Sequence, residues 1–307
     1  MNRDLLGIRQ LSSDQITDLI RRSDGYFRHL ISPDPFPETQ FLKGRTVANL
    51  FFENSTRTRT SFELAEKRLG ATIATLSMQS SSVSKGESLM DTVNVINSMK
   101  IDCFVIRHSS SGVPQLLRKH LPDNVRIINA GDGAHEHPTQ ALLDAATLIE
   151  KLGSLQGKKI VIIGDILHSR VARSNMILLG KLGAKVTFIS PPTLAPKFAE
   201  EVFGVEIRND IGDALQNADA VMALRIQLER QSGSYFPSLT DFRARYGLTT
   251  LRLQDSNAYI MHPGPVNRNV EIDDQAADTE KSIILHQVKR GVAIRMAVLE
   301  WLFEVHE

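Results

Sequence analysis

From residue 45 to residue 226 the chain repeats one grammar: a short apolar, mostly β-branched run, then a longer segment of helical spacing. RTVANLFF (45–52), TIATLS (72–77), IDCFVIRH (101–108) and RIINAG (126–131) read as strands, with helices over 58–70, 87–99, 113–121 and 137–153. Strands joined through helices lie parallel, and near-continuous apolar strands are covered on both faces. A second run starts at Lys158: KKIVIIGD, AKVTFIS, VEIR and ADAVMALRI, with helices over 169–182, around 196–203 and over 211–217. At 307 residues the chain exceeds one comfortable core. These features predict an α/β chain of two domains, each a mostly parallel sheet flanked by helices, with no internal repeat.

The flanks are less regular. A helix over 11–31, capped by Ser12 or Ser13, leads into the proline-rich connector ISPDPFPET. QLERQSGSYFPSLTDFRARYG (227–247) is long, polar and glycine-bearing, and reads as a functional loop. SIILHQ (282–287) reads as a strand, and 288–305 as an amphipathic helix with Val288, Val292, Met296, Leu299 and Phe303 on one side.

Composition narrows the function classes. Lys and Arg number 36 against 35 Asp and Glu, which argues against a polybasic nucleic-acid or membrane surface. The single cysteine, Cys103, lies in an apolar run and reads as a buried structural thiol. The N-terminal stretch carries charge where a signal peptide needs an apolar core, and no apolar run reaches the roughly 18–20 residues of a membrane span. The expectation is a soluble cytoplasmic protein.

FFENSTRTRTSFE (51–63) concentrates chemistry. It lies between the carboxyl end of a strand and the amino end of a helix, where free N–H groups and a positive dipole end receive anions. Ser55, Thr56 and Thr58 add donors, and Arg57 and Arg59 can supply charged forks. A plain helix cap fits the same residues, since Thr60-x-x-Glu63 has capping-box spacing. In HEHPTQALLDA (135–145), Pro138 takes a first-turn position and His137 the cap, where a positive helix end favours neutral imidazole. His135-x-His137 lacks further ligands at metal spacing. Arg107 ends a strand at the edge where α/β sheets bind ligands. IIGDILHSRVARS (162–174) contains neither G-x-G-x-x-G nor a Walker A sequence, which opposes a nucleotide cofactor.

Taken together in order, S-T-R-T-R and H-P-T-Q resemble the signatures of the aspartate/ornithine transcarbamoylase family. The resemblance covers nearly the whole chain. It implies transfer of a carbamoyl group from carbamoyl phosphate to an amine, with no metal and no cofactor. Ser55, Thr56, Arg57, Thr58, Ser81, Lys85, Arg107, His137, Gln140, Gly264 and Pro265 would bind carbamoyl phosphate. Arg57, Thr58, Lys85, Arg107 and His137 would be catalytic. Ser81 and Lys85 come from aligning MQSSSVSKGES (78–88) on K-G-E, a loop that reaches a neighbouring subunit's site; Ser84 stands where many members have lysine. G-D-x-x-x-x-R places Arg170, and R-x-Q places Arg225 and Gln227, on the carboxylates of aspartate, with Lys85 and Arg107 sharing them.

H-P-G-P-V-N-R (262–268) resembles the aspartate branch, whereas ornithine enzymes characteristically read H-C-L-P. Two guanidiniums also suit a dicarboxylate better than a diamino acid. The expected acceptor is therefore L-aspartate, with ornithine or another amine as the alternative. The family further implies domains of 1–148 with 286–307 and of 149–285, the C-terminal helix packing back on the first. It implies a homotrimer with active sites at subunit interfaces, and regulatory or dihydroorotase partner chains. Arg59 and Glu63 read as scaffold, an ion pair one helical turn apart.

Overall fold

The computed structural model describes residues 3–37, 39–77, 88–196, 199–227 and 238–304. The chain forms two compact units, one of 1–143 with 289–307 and the other of 144–288.

Unit 1 begins with α1 (Ser13–Ile31), whose cap is Ser12 in a full capping box with Gln15. There follow β1 (Thr46–Phe51), α2 (Thr56–Arg68), β2 (Thr72–Ser77), α3 (Leu89–Asn97), β3 (Cys103–His108), α4 (Val113–Arg118) and β4 (Arg126–Asp132). Helix α5 (Pro138–Leu152) then carries the chain from unit 1 into unit 2. The strands are parallel in the order β2-β1-β3-β4. Ala48, Leu50, Phe104, Ile106 and Ile127 of the strands pack with Val93, Ile96, Val113 and Leu117 of α3 and α4. Cys103 is fully buried in β3.

Unit 2 contains β5 (Lys159–Ile163), α6 (Arg170–Lys181), β6 (Lys185–Ile189), α7 (Ala199–Phe203), β7 (Glu206–Arg208) and β8 (Ala220–Ala223). After these come α8 (Leu239–Tyr246), α9 (Thr250–Leu253), β9 (Tyr259–Met261) and α10 (Asp274–Ala277). Its sheet is also parallel, in the order β7-β6-β5-β8-β9.

Helix α11 (Ile284–Phe303) returns the chain to unit 1. There Arg22 of α1 pairs with Glu300 at 3.0 Å, and Arg290 pairs with Asp24 at 2.7 Å while lying over the Phe27 ring. Arg295 lies over the ring of Phe62 in α2.

Four expectations are corrected. Residues 212–217 form successive turns rather than a helix. SIILHQ is no strand: Ser282 makes one bridge to Ile260, and the chain coils into α11 at Ile284. Two β-branched isoleucines mimic a strand, but the apolar run continues at helical length, so the helix wins. Helix α11 is also less amphipathic than its spacing implies, with Val288 half exposed and 292–299 buried all round. Residues 228–237 of the polar segment lie outside the described residues; after them Ser238 caps α8, where a loop was expected, and Phe242 and Tyr246 enter the core of unit 2.

One buried acid ties α2 to the sheet. Asn49 of β1 and Glu66 of α2 are fully buried, and the Asn49 amide donates to Glu66 Oε2 at 2.7 Å. Burial pushes the Glu66 carboxyl up to about 8, the Asn49 hydrogen bond opposing and Glu63 adding to the rise. The unfolded chain releases this proton near 4.5 and the folded chain holds it to about 8, so stability falls as pH rises through that window. Glu66→Gln should remove this dependence. Melting temperatures of wild type and variant, compared from pH 5 to pH 9, should shift in the variant's favour as pH rises; a constant difference would contradict the assignment.

Candidate active site

In a doubly wound sheet the ligand crevice forms where successive crossovers turn in opposite directions, at the carboxyl ends of the strands. Unit 1 runs from β1 to β2 on one side and returns to β3 on the other, so its switch point lies between β1 and β3. Unit 2 runs from β5 through β6 to β7 and returns to β8, which puts its switch point between β5 and β8. S-T-R-T-R and Arg107 fall at the first, G-D-x-x-x-x-R and R-x-Q at the second, while H-P-T-Q follows β4 and H-P-G-P-V-N-R follows β9.

At the first, Phe51 of β1 is in register with Arg107 of β3, and the Phe52 N–H donates to the Arg107 carbonyl at 2.9 Å. The chain then turns through Glu53 and Asn54 into α2. Ser55 is the N-cap residue, but its side chain makes no capping hydrogen bond. The first turn of any helix presents backbone N–H groups beyond its own hydrogen-bond ladder, and Ser55 does not cap those of α2 with its side chain. Arg57 and Thr56 are exposed, whereas Thr58 is buried.

Arg107 joins these segments. Its guanidinium pairs with Glu53 at 2.7 Å, donates to Thr58 Oγ1 at 3.4 Å and donates to the Ala130 carbonyl of β4 at 3.2 Å. Glu53 belongs to the motif first singled out, yet the sequence gives it no role. Its carboxylate and the β4 carbonyl aim the guanidinium across the crevice. Nearby, His108 Nδ1 accepts from the Ser110 N–H at 2.8 Å, and burial pulls this imidazole below its ordinary value.

The β4–α5 junction holds His137 and Gln140, both buried. Asp132, fully buried at the end of β4, organises this turn. It accepts from Asn129 and from the Gly112 N–H, each at 2.7 Å, from the Glu136 N–H at 3.2 Å and contacts His135 Nδ1 at 3.0 Å. Burial alone would raise the Asp132 carboxyl, but these donors outweigh it and hold the group below the usual carboxylate range. His135 is thus committed to Asp132. Among the described residues no cluster of three or more His, Cys, Asp or Glu could hold a metal ion.

The second crevice depends on Gly164 and Asp165. Gly164 has φ +134°, and a Cβ there would sit 2.5 Å from the Leu224 carbonyl, so only glycine lets the ends of β5 and β8 approach. Asp165, fully buried, accepts from the His168 N–H at 3.2 Å and from the Gln227 N–H at 3.3 Å, and contacts His168 Nδ1 at 2.9 Å. One carboxylate therefore holds together the turn that delivers Arg170 and the strand end that delivers Arg225 and Gln227. Arg170 is buried at the first position of α6, whose cap is Ser169.

Gly264 and Pro265 also belong to unit 2, in a turn with a cis Gly264–Pro265 bond. His262 Nδ1 accepts from the Gly264 N–H at 2.8 Å, which leaves the proton on Nε2 for Glu271 Oε1 at 3.1 Å. Glu271 also accepts from the Asn267 N–H at 2.6 Å. The His262 N–H itself donates to Gln287, which donates in turn to Asp144. The turn's backbone is thereby fixed from inside.

Ser81 and Lys85 lie outside the described residues. The expected Arg59–Glu63 pair is corrected: Glu63 accepts from Thr75 of β2 at 2.9 Å instead. The Thr60-x-x-Glu63 capping box is absent too, because α2 already starts at Thr56 and both residues lie within it.

Two family models cover the chain. Residues 3–150 match the carbamoyl-P binding domain of aspartate/ornithine carbamoyltransferase, and residues 156–302 match its Asp/Orn binding domain. The aspartate carbamoyltransferase catalytic subunit of Cytophaga hutchinsonii is 52% identical, the alignment covering 97% of this chain and 96% of that one. The same-named subunit of Solibacter usitatus is 49% identical over 98% and 99%. Among solved structures, Trypanosoma cruzi aspartate transcarbamoylase in complex with carbamoyl aspartate and phosphate superposes with a TM-score of 0.86 at 30% identity, covering 97% of this chain and 95% of that one. The catalytic subunit of the M. jannaschii enzyme superposes with a TM-score of 0.84 at 33% identity, covering 97% of each chain. Two switch-point crevices bearing these motifs, and similarity that runs from end to end, converge: the chain belongs to the aspartate/ornithine carbamoyltransferase family.

Proposed function

We infer that this chain is a transferase that moves the carbamoyl group of carbamoyl phosphate to the amine of L-aspartate, giving N-carbamoyl-L-aspartate and phosphate. The observation that carries the choice of acceptor is the second crevice, where Asp165 anchors the segments bearing Arg170, Arg225 and Gln227. Two guanidiniums there match two carboxylates, whereas a side-chain ammonium would meet like charge. Relatives about half identical over nearly the full chain are named as aspartate enzymes. A Trypanosoma cruzi neighbour was solved with carbamoyl phosphate and aspartate.

The chemistry asks for positioning and charge stabilisation, since the phosphate leaving group already activates the carbonyl carbon. The amino end of α2, with Ser55, Thr56, Arg57 and Thr58, holds the phosphate. Ser81 and Lys85 complete that pocket from a neighbouring subunit. Thr58, Arg107 and His137 surround the carbonyl oxygen as the tetrahedral intermediate forms. Gln140 and the backbone carbonyls at Gly264 and Pro265 orient the carbamoyl N–H₂. Arg170, Arg225 and Gln227, with Lys85 and Arg107, hold the aspartate. The amine nitrogen bonds to the carbonyl carbon, the carbon–oxygen bond to phosphate breaks, and the departing phosphate takes the amine's proton. The working form is a cytoplasmic homotrimer with shared sites, feeding pyrimidine biosynthesis and accompanied by regulatory or dihydroorotase chains.

An acceptor screen with radiolabelled carbamoyl phosphate tests the reaction: labelled product should form with L-aspartate and not with ornithine, and the reverse would overturn the reading. Arg107→Ala should lower kcat by roughly 100–1000-fold, the typical loss of an oxyanion donor. Glu53→Gln, which removes only an aiming partner, should cost much less; equal losses would contradict the division of labour. Arg225→Ala should raise KM for aspartate while leaving that for carbamoyl phosphate nearly unchanged. Inactive Lys85→Ala and Arg57→Ala chains, mixed and reassembled, should regain part of the activity, and no recovery would refute the shared site.

A further inference from the structure

Unit 2 carries a cavity that the crevice between β5 and β8 does not use. It encloses about 740 Å³ between α6, the end of β6 and residues of 192–196 and 199–203. That volume falls within the range of small-molecule sites, about 300–1,000 Å³. Its walls are apolar, with Met176 and Phe188 inside and Val202 and Phe203 at the rim. Leu167 on the same lining is 37% exposed, Phe203 39% and Val202 62%, so three large apolar side chains open to water line one cavity.

Among the described residues a single cation lines this cavity. Arg173, exposed on α6, has no hydrogen-bond acceptor or carboxylate for its guanidinium among the described residues. The only other polar side chain on the described lining is Thr193. A nucleotide or sugar phosphate would bring far more polar groups than these walls can satisfy. A molecule with a hydrocarbon body and one anionic end would leave none unmet, because an arginine fork matches a carboxylate.

We propose that this cavity is a second ligand site for an apolar monocarboxylate, its carboxylate on Arg173 and its body against Met176, Phe188 and Phe203, coupled to the neighbouring crevice. The coupling is built into the backbone. Ile166 and Leu167, on the cavity wall, belong to the turn between Asp165 and Arg170, and the Leu167 N–H donates to the Leu194 carbonyl at 2.9 Å. An occupant that seats the 192–196 segment therefore bears on the turn that positions Arg170. The coupling rests on Arg170 holding aspartate, as proposed above; the binding does not.

Titration calorimetry of the full chain with 2-naphthoate, and with 2-naphthalenemethanol as its neutral counterpart, tests the site. The acid should bind with Kd at or below about 1 mM. Arg173→Gln should weaken it at least tenfold, to the level of the alcohol, and Ala195→Trp, which fills the opening, should abolish both. Saturation with N-(phosphonacetyl)-L-aspartate should not displace the probe. Absence of binding, indifference to Arg173→Gln, or displacement by that analogue would overturn the site. With binding established, 2-naphthoate should change KM for aspartate at least twofold in wild type and not in Arg173→Gln; an unchanged KM would overturn the coupling. A chain with no turnover on aspartate even without probe would instead refute the reaction, while the binding results would still decide the site.

Discussion

The guanidinium of Arg107 sits where three chain segments end, and each holds it by a different group. Glu53 after β1 supplies a charge, Thr58 in the first turn of α2 a hydroxyl, and Ala130 of β4 a backbone carbonyl. Such a contact exists only because β1, β3 and β4 are parallel, so that their carboxyl ends share one edge, with the β3–β4 register shifting between Ile106 and His108, at Arg107 itself. The strands are held there by packing on α3 and α4, whose Val93, Ile96, Val113 and Leu117 share one cluster with Phe104 and Ile106. Packing deep in unit 1 thus decides where a charged group points at its rim. The arrangement is preorganised: the charge that would stabilise a developing oxyanion is aimed before the reaction begins.

Unit 2 solves the complementary problem with the opposite sign. There a buried carboxylate, Asp165, gathers backbone and imidazole donors from two segments, one leading into Arg170 and the other carrying Arg225 and Gln227. Gly164 makes the strand ends close enough for this. His262 repeats the device on a smaller scale, its two ring nitrogens spanning from Gly264 to Glu271 so that a tight turn keeps its shape. In each case a partner that never meets substrate sets the geometry of one that would.

How much of this was legible in the sequence depends on range. Alternating β-branched strands and helices declared both sheets, because burial on both faces leaves a local signature in every strand. Ser55, Thr58, Arg107, His137 and Arg170 stood out because each sits at a strand–helix junction with its motif around it. Asp165, Asp132, Glu53 and Glu271 were named in motifs or passed over without a role. Their importance lies in hydrogen bonds to groups up to 62 residues away, as from Asp165 to Gln227, and no local pattern encodes such a partner. Helix α8 was missed because its polar first turn hides Phe242 and Tyr246, whose burial is a tertiary fact. SIILHQ failed in the opposite way: its β-branched pair matched a strand locally, while the apolar run beyond it demanded a helix.

On the proposed reading, unit 1 recognises a phosphate and unit 2 a dicarboxylate for one reaction. N-(phosphonacetyl)-L-aspartate carries a phosphonate and the aspartate dicarboxylate in one molecule. Its calorimetric titration into wild type, Arg57→Ala and Arg170→Ala tests the claim most directly. Under that division each substitution, one in either unit, should weaken binding by roughly 30-fold or more, the scale expected for a charge pair removed from a desolvated contact. Affinity left intact by either substitution would contradict it.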